Sequence, residues 1–428
     1  MSTDARAAVE AVYRVEFPRV VAALATFTGD VALAEELTHD ALVDALRQWP
    51  REGTPDNPGA WLTTVAKRKA IDAFRRERNL AGKYAQIGRE LQTQLDLLEQ
   101  GHDADVVAPS GEDIDDDRLR LIFVACHPVL AMPARVALTL RLVGGLTVPE
   151  IARAYLVPEA TVAQRIVRAK KVIAREGVPF EVPVGAERST RLHAVLEVIY
   201  LVFNEGYSAT TGEDWTRPEL CHEALRLGRV LAALVPAEPE VHGLVAVMEF
   251  QSSRLRARVG ASGAPVLLLD QDRGAWDRIN IARGEAALAR ADELAPTRGP
   301  YTLQAAIAAC HARAYRPEET DWDELVALYT VLARTTPSPI VELNRAVAVS
   351  HAAGPAAALV VVDELVASDT LARYHLLHSV RADLLARLGR HAEAASEFER
   401  AAELTTNAQE QRLLADRARA SVEAATAS

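Results

Sequence analysis

LTVPEIARAYLVPEATVAQRIVRAKKVI, residues 146–173, decides how the chain is read, because two helical patterns meet in it across a break. Thr147 can cap a short helix, and Pro149 follows in the first turn, where a missing N–H costs nothing. Leu156-Val157-Pro158 breaks that pattern, and a second helix is predicted from about Glu159. At 100° per residue, Val162, Ile166, Ala169 and Ile173 fall on one arc and must face inward. Thr161, Gln164, Arg165, Arg168 and Lys171 occupy the opposite arc. Such side chains reach base edges and phosphates when a helix enters the major groove. An amphipathic hairpin without a ligand would need only the apolar arc. Here turn, caps and polar face agree on a helix-turn-helix.

A second cationic helix lies upstream. WLTTVAKRKAIDAFRRER, residues 61–78, carries six basic and two acidic residues. Leu62, Ala66, Ala70 and Ala73 make an apolar stripe, with Lys67, Arg68, Arg75 and Arg78 projecting from the other side. This face can neutralise phosphates, and Trp61 with the loop before it can stack on unpaired bases. Alone, the pattern describes a solvated cationic helix with Trp61 in the core better than a DNA-binding face. Before it, Val12–Ala25 is apolar at helical spacing, Gly29-Asp30 interrupts, and Asp30 is placed to cap a helix over Val31–Trp49. The prolines of Pro50–Pro58 predict a loop.

Between the two cationic helices, residues 96–117 hold nine acidic side chains and no Lys or Arg, the signature of a solvated tether. A second small helical unit is expected from Arg118 to Glu176. Everything after Arg188 is helical in pattern, with loops at Gly206–Arg217, Pro236–Pro239, Gly260–Pro265 and Pro337–Pro339. Near the end, Gly389, Ala394, Phe398 and Ala401 follow the spacing of a tetratricopeptide helix pair, and Gly354 lies 35 residues before Gly389.

With 428 residues, two or more domains are expected. Apolar residues at 49% and charged residues at 25% are the balance of a soluble globular protein, and the wealth of Ala, Leu, Arg and Glu favours helices. No apolar run is long enough for a membrane span, and Met-Ser-Thr-Asp-Ala-Arg has no export-signal pattern. Cys126, Cys221 and Cys310 are scattered without CxxC spacing, which argues against a disulfide framework or zinc site and for a reducing cytoplasm. The net charge of −11 hides the two local cationic faces.

In order, Asp30-Val-Ala-Leu-Ala-Glu-Glu-Leu-Thr-His-Asp-Ala-Leu, Pro58-Gly-Ala-Trp-Leu with Ala70-Ile-Asp-Ala-Phe-Arg-Arg, Glu150-Ile-Ala-Arg-Ala, and Ala160-Thr-Val-Ala-Gln-Arg-Ile-Val-Arg-Ala-Lys resemble the sigma-70 family. More narrowly they resemble its extracytoplasmic-function group, which keeps only regions two and four. YLVFNEGYSAT (200–210), LLLDQDR (267–273), GPYTLQAAIAACHA (299–312) and PSPIVELNRAVA (337–348) are similar to the tetratricopeptide-like extension of one subgroup. The resemblance implies an all-α chain: region two over residues 1–80, an acidic linker over 81–117, region four over 118–180 and a helical extension over 188–428. It implies core RNA polymerase and promoter DNA as partners, with contacts to the clamp helices of the largest subunit and to the flap. On the helix Val31–Trp49, Leu33, Glu36, Leu37, Asp40 and Asp44 would meet polymerase. Asn57, Trp61, Lys67, Arg68, Lys69, Arg75 and Arg76 would hold the minus-ten element, and Thr161, Gln164, Arg165, Arg168 and Lys171 the minus-thirty-five element. Arg68 stands where many members carry Asn, so base preference at minus ten does not transfer. A peptide or protein ligand is expected for the extension, and neither cofactor nor metal.

Two rivals remain at this point. A stand-alone helix-turn-helix regulator with a repeat sensor domain explains the second half of the chain but not the first 80 residues. An enzyme would draw on Asp270, Asp272 and Arg273, or on Cys310 and His311. No glycine-rich phosphate loop, nucleophile elbow or HExxH accompanies them, and clustered Asp and Arg beside a turn are usually caps and ion pairs. Asn204-Glu205-Gly206-Tyr207 reads as a structural loop rather than a ligand site.

Overall fold

The computed structural model describes residues 3–80, 111–155, 157–209, 215–260 and 263–427, and these are helical apart from turns, loops and isolated bridge residues such as Val259 with Pro265. Most of the acidic linker expected over 81–117 lies outside them. The chain divides into two compact units, Met1–Val198 and Ile199–Ser428.

In the first unit, α1 (Thr3–Thr28), α2 (Val31–Glu52) and α3 (Pro58–Leu80) pack on one another. The Asp30 carboxylate accepts from the Ala32 and Leu33 N–H groups at 2.7 and 3.1 Å, so the cap read from sequence starts α2. Pro50 does not end it. The helix continues to Glu52, and the Gly53 N–H closes it on the Trp49 carbonyl at 3.0 Å with φ +89°. In the last turn Pro50 removes only one ladder bond, which the helix tolerates. The loop is therefore shorter than the Pro50–Pro58 stretch. α4 (Gly111–Ala125) begins inside the acidic run, so residues 111–117 belong to a helix rather than to the tether. Carboxylates at a helix start favour the positive end of its dipole. Asp117 accepts from Thr26 Oγ1 at 2.6 Å, fixing α4 to α1. α5 (Met132–Leu142), α6 (Val148–Ala154) and α7 (Glu159–Arg175) follow, and α8 (Gly185–Tyr207) runs into the second unit.

The second unit continues with α9 (Pro218–Leu234), α10 (Pro239–Ser253), α11 (Arg278–Leu294), α12 (Pro300–Arg313), α13 (Trp322–Thr335), α14 (Pro339–Ala352), α15 (Pro355–Ala367), α16 (His375–Arg387), α17 (His391–Leu404) and α18 (Ala408–Ala427). From α12 onward each helix packs on the next. Helix breaks fall at the four expected loops, and further breaks separate α11 from α12, α12 from α13, and each helix from α14 to α18 from the next. Gly354 and Gly389 take φ of +92° and +76° at two of the interhelical turns, a conformation that favours glycine. The Glu240 carboxylate binds the N-terminus of α12, accepting from Tyr301 N at 2.7 Å and from Thr302 Oγ1 at 2.6 Å. Gly243 lets α10 approach there, since a Cβ would lie 2.6 Å from Thr302 N. Leu377, Leu385, Phe398 and Leu414 centre one apolar cluster, and Phe250, Trp276 and Ala309 another.

Asn204-Glu205-Gly206-Tyr207 is the last turn of α8 rather than a loop, with Glu205 paired to Arg217. Asp272 Oδ1 accepts from Gly274 N at 2.8 Å, so it caps a short 3-10 turn. Burial pushes the thiols of Cys126, Cys221 and Cys310 up to about 12, which leaves them protonated at neutral pH. Among the described residues no helix is long and apolar enough to cross a membrane.

Candidate nucleic-acid interface

The pair α6 and α7 forms the helix-turn-helix. Thr147 N and Oγ1 both donate to Glu150 Oε2, at 2.7 and 2.8 Å, and this pins the first turn of α6. Val162, Ile166, Ala169 and Ile173 are the buried residues of α7, as their spacing requires. The other face presents Gln164, Arg168 and Lys171 to solvent, while Thr161 and Arg165 are half-buried. A rigidly seated helix with an outward amide and two cations has the chemistry for a groove of bases and phosphates.

On α3, Leu62, Ala66 and Ala70 are buried and Ala73 is half-buried. Asn57 caps this helix, its Oδ1 accepting from Ala60 N at 3.0 Å. Trp61 is half-buried and packs edge-on to the buried Trp49, ring centroids 5.4 Å apart. Lys67 lies over the Phe27 ring at 5.9 Å. Arg68 and Arg75 are exposed, and the side chains of Arg76 and Arg78 lie outside the described residues. Lys69 Nζ pairs with Asp44 at 2.8 Å. Two residues expected to serve different partners, DNA and polymerase, thus hold each other.

On α2, Glu36 and Asp40 are exposed and Leu33 is half-buried. Leu37, at 6% exposure, belongs to the core of the bundle, so its side chain is not offered to a partner. Glu35 is equally buried and is the side chain that the sequence reading passed over. Its carboxylate accepts from Arg141 Nε at 2.8 Å and from Lys170 Nζ at 2.7 Å. Burial opposes the charge on Glu35, but Lys170 and Arg141 outweigh it and hold the carboxyl below its ordinary value. The Glu35 carbonyl accepts from His39 Nδ1 at 2.8 Å, which leaves Nε2 of that ring to accept from Arg141. Burial, countered in part by this bond and reinforced by Arg141, keeps His39 below its usual range and neutral. A signal existed: Glu35 sits one position from Ala34 in the buried stripe of α2, where a carboxylate needs a cation.

The candidate residues therefore form two surfaces, one on α3 with its preceding loop and one on α7. Lys170 ties the second to α2 from the inner side of α7.

Residues 12–80 match the family model described as Sigma-70 region 2, residues 120–173 match Sigma-70, region 4, and residues 191–292 match a family of unknown function (DUF6596). Over 149 residues the chain is 29% identical to ECF RNA polymerase sigma factor SigK of Mycobacterium ulcerans (strain Agy99), which covers 35% of this chain and 74% of that protein. It is 48% identical over 395 residues to Uncharacterized protein R00370 of Rhizobium meliloti (strain 1021), covering 92% of this chain and 91% of the relative. The chain thus belongs to one family with that Rhizobium meliloti protein, and its sigma-70 region 2 and region 4 domains indicate an RNA polymerase sigma factor.

Proposed function

We propose that this chain is a cytoplasmic sigma factor of the extracytoplasmic-function type, which binds core polymerase, recognises a promoter at two spaced elements and helps to open it. Residues 1–80 hold the minus-ten element and the clamp helices, and residues 118–180 hold the minus-thirty-five element and the flap. Residues 81–110 join the two. Residues 188–428 form a tetratricopeptide-like extension that regulates activity in cis through a peptide or protein ligand.

The observation that carries this reading is the seating of α7. Four buried apolar residues fix it in place, and Gln164, Arg168 and Lys171 point outward. Thr161 and Arg165 flank that face and join the readout. At the minus-ten element Trp61, Lys67, Arg68, Arg75 and Arg76 contact the opened strand. Lys69 acts once its pair with Asp44 exchanges for phosphate. The exposed Glu36 and Asp40 present carboxylates to polymerase.

Purified chain added to core polymerase on a promoter template tests the reading. Transcripts with one mapped start are expected, and residues 1–180 alone are expected to lose the regulation seen with the full chain. A chain that binds duplex DNA by itself and leaves core transcription unchanged is a stand-alone regulator instead.

A further inference from the structure

The second unit holds a row of cations that nothing described so far explains. Arg258, at 9% exposure, sits with its Cζ 3.7 Å from the Tyr207 ring centroid. Arg254 follows, half-buried, its Cζ 5.6 Å from the same ring and 5.8 Å from the Trp276 ring. Arg273, at 3% exposure, lies 5.2 Å from the Trp276 ring on Cζ. Guanidinium and aromatic ring alternate along this row. Among the described residues none of the three arginines makes an ion pair.

Their hydrogen bonds are unevenly met. Arg273 is held by the carbonyls of His311 and Ala314 at 3.0 Å and by Thr320 Oγ1 at 3.1 Å, and Arg258 by the Tyr207 carbonyl at 3.0 Å. These two are fixed in the fold, and each still buries an Nε–H without an acceptor. Arg254 gives only its Nε–H, to Tyr207 Oη at 2.6 Å. Its two terminal nitrogens, a planar fork of four donors, meet no described acceptor. Trp276 Nε1 and His311 Nδ1 are also buried without partners. Like charges this close repel: beyond the cost of burial, Arg254 lowers the basicity of both Arg258 and Arg273. Burial first, then Arg254 and Arg273, push His311 down to about 3, so it adds no further charge. Glu318 and Glu319 act on Arg273 only through space.

Aromatic faces lower the cost of placing a cation there but supply no negative charge. What completes such a cluster is an oxyanion, and a half-exposed fork is the group that meets one bidentately. We propose that Arg254, set between Tyr207 and Trp276 and backed by Arg258 and Arg273, is the anchor of a binding site for a small organic carboxylate or phosphate. Half-buried Tyr207 borders the fork, Tyr329 lies near Arg254 and Tyr200, and Tyr200 Oη is oriented by Gln304 at 2.7 Å. A regulatory use of the site rests on the sigma-factor reading. The binding does not, and it is measured on the chain alone.

Calorimetric titration of the full chain with inorganic phosphate and with citrate, at ionic strength held constant with chloride, tests this. Saturable binding of at least one of them is expected. Arg254→Gln weakens it by about tenfold to a hundredfold, the worth of a charge-assisted bidentate contact. Arg254→Lys restores part of the loss, since charge returns without the fork. Arg290→Gln, which removes an exposed pair with Glu293, leaves binding unchanged. No binding beyond the chloride control, or binding indifferent to Arg254→Gln, overturns the proposal. A peptide with an acidic C-terminus that binds through Arg254 while both free anions fail also overturns it.

Discussion

In the first unit Arg141 and Lys170 close on the buried carboxylate of Glu35, whereas in the second Arg254, Arg258 and Arg273 line up on Tyr207 and Trp276 without an ion pair among the described residues. Both clusters take cations out of water, and each must offset the lost hydration. The first does so internally, joining α2 to α5 and α7. The second does so with ring faces and carbonyls, and leaves its most accessible member unspent. A balanced cluster holds structure together. An unbalanced one carries capacity for a ligand.

The largest effect expected from this contrast is on Glu35. Glu35→Ala leaves two cations facing each other in a buried place and costs about 3–5 kcal/mol of stability, read from urea unfolding. Replacing Glu35, Arg141 and Lys170 together by apolar residues of similar size recovers most of that loss, because no unpaired charge remains. A mild effect of the single change would mean that the cluster is not balanced by Glu35. pH gives a second reading of the same group. The folded-state carboxyl is held below its unfolded value, so the stabilisation is present above the ordinary value of 4.5 and is lost as pH falls through the folded pKa. Acid unfolding of Glu35→Gln should lack that component.

Smaller effects follow on the DNA side. Arg168→Ala should weaken promoter binding by about 1–3 kcal/mol if it reads a base, or lower the salt dependence of binding by about one charge if it meets phosphate. Band-shift titrations of holoenzyme at several salt concentrations distinguish these, and identical affinity and slope would remove α7 from the readout. Thr147→Ala should cost about 1 kcal/mol of stability through the cap of α6, measured by urea unfolding, and no loss would show that Glu150 closes the turn alone. Least of all, Arg254→Gln should change stability by less than about 1 kcal/mol, since relief of repulsion on Arg258 and Arg273 offsets the lost Tyr207 hydrogen bond. A loss as large as that of Glu35→Ala would erase the contrast between the two clusters.

What the sequence made legible was local. The arc of Val162, Ile166, Ala169 and Ile173 follows from helix geometry alone, and the Asp30 cap from side-chain reach. Pro50 was misread because a proline in a final turn costs one bond rather than a helix. The tether was drawn too far because Gly111 looks like a breaker while the acidic residues after it favour a helix start. That Asn57 also caps α3 and that Leu37 fills the bundle depends on the helix start and on packing between helices. Glu35 with Arg141 and Lys170, and Arg254 with Tyr207 and Trp276, pair residues far apart in the chain. No periodicity within one helix carries that information.

The central claim is that two sigma-70 modules place this chain on core polymerase. Size-exclusion chromatography of a mixture of the purified chain with core enzyme tests it most directly. The account predicts co-elution as one complex that then yields promoter-directed transcripts. Separate elution of chain and core at micromolar concentrations would contradict it, whatever affinity the chain alone shows for duplex DNA.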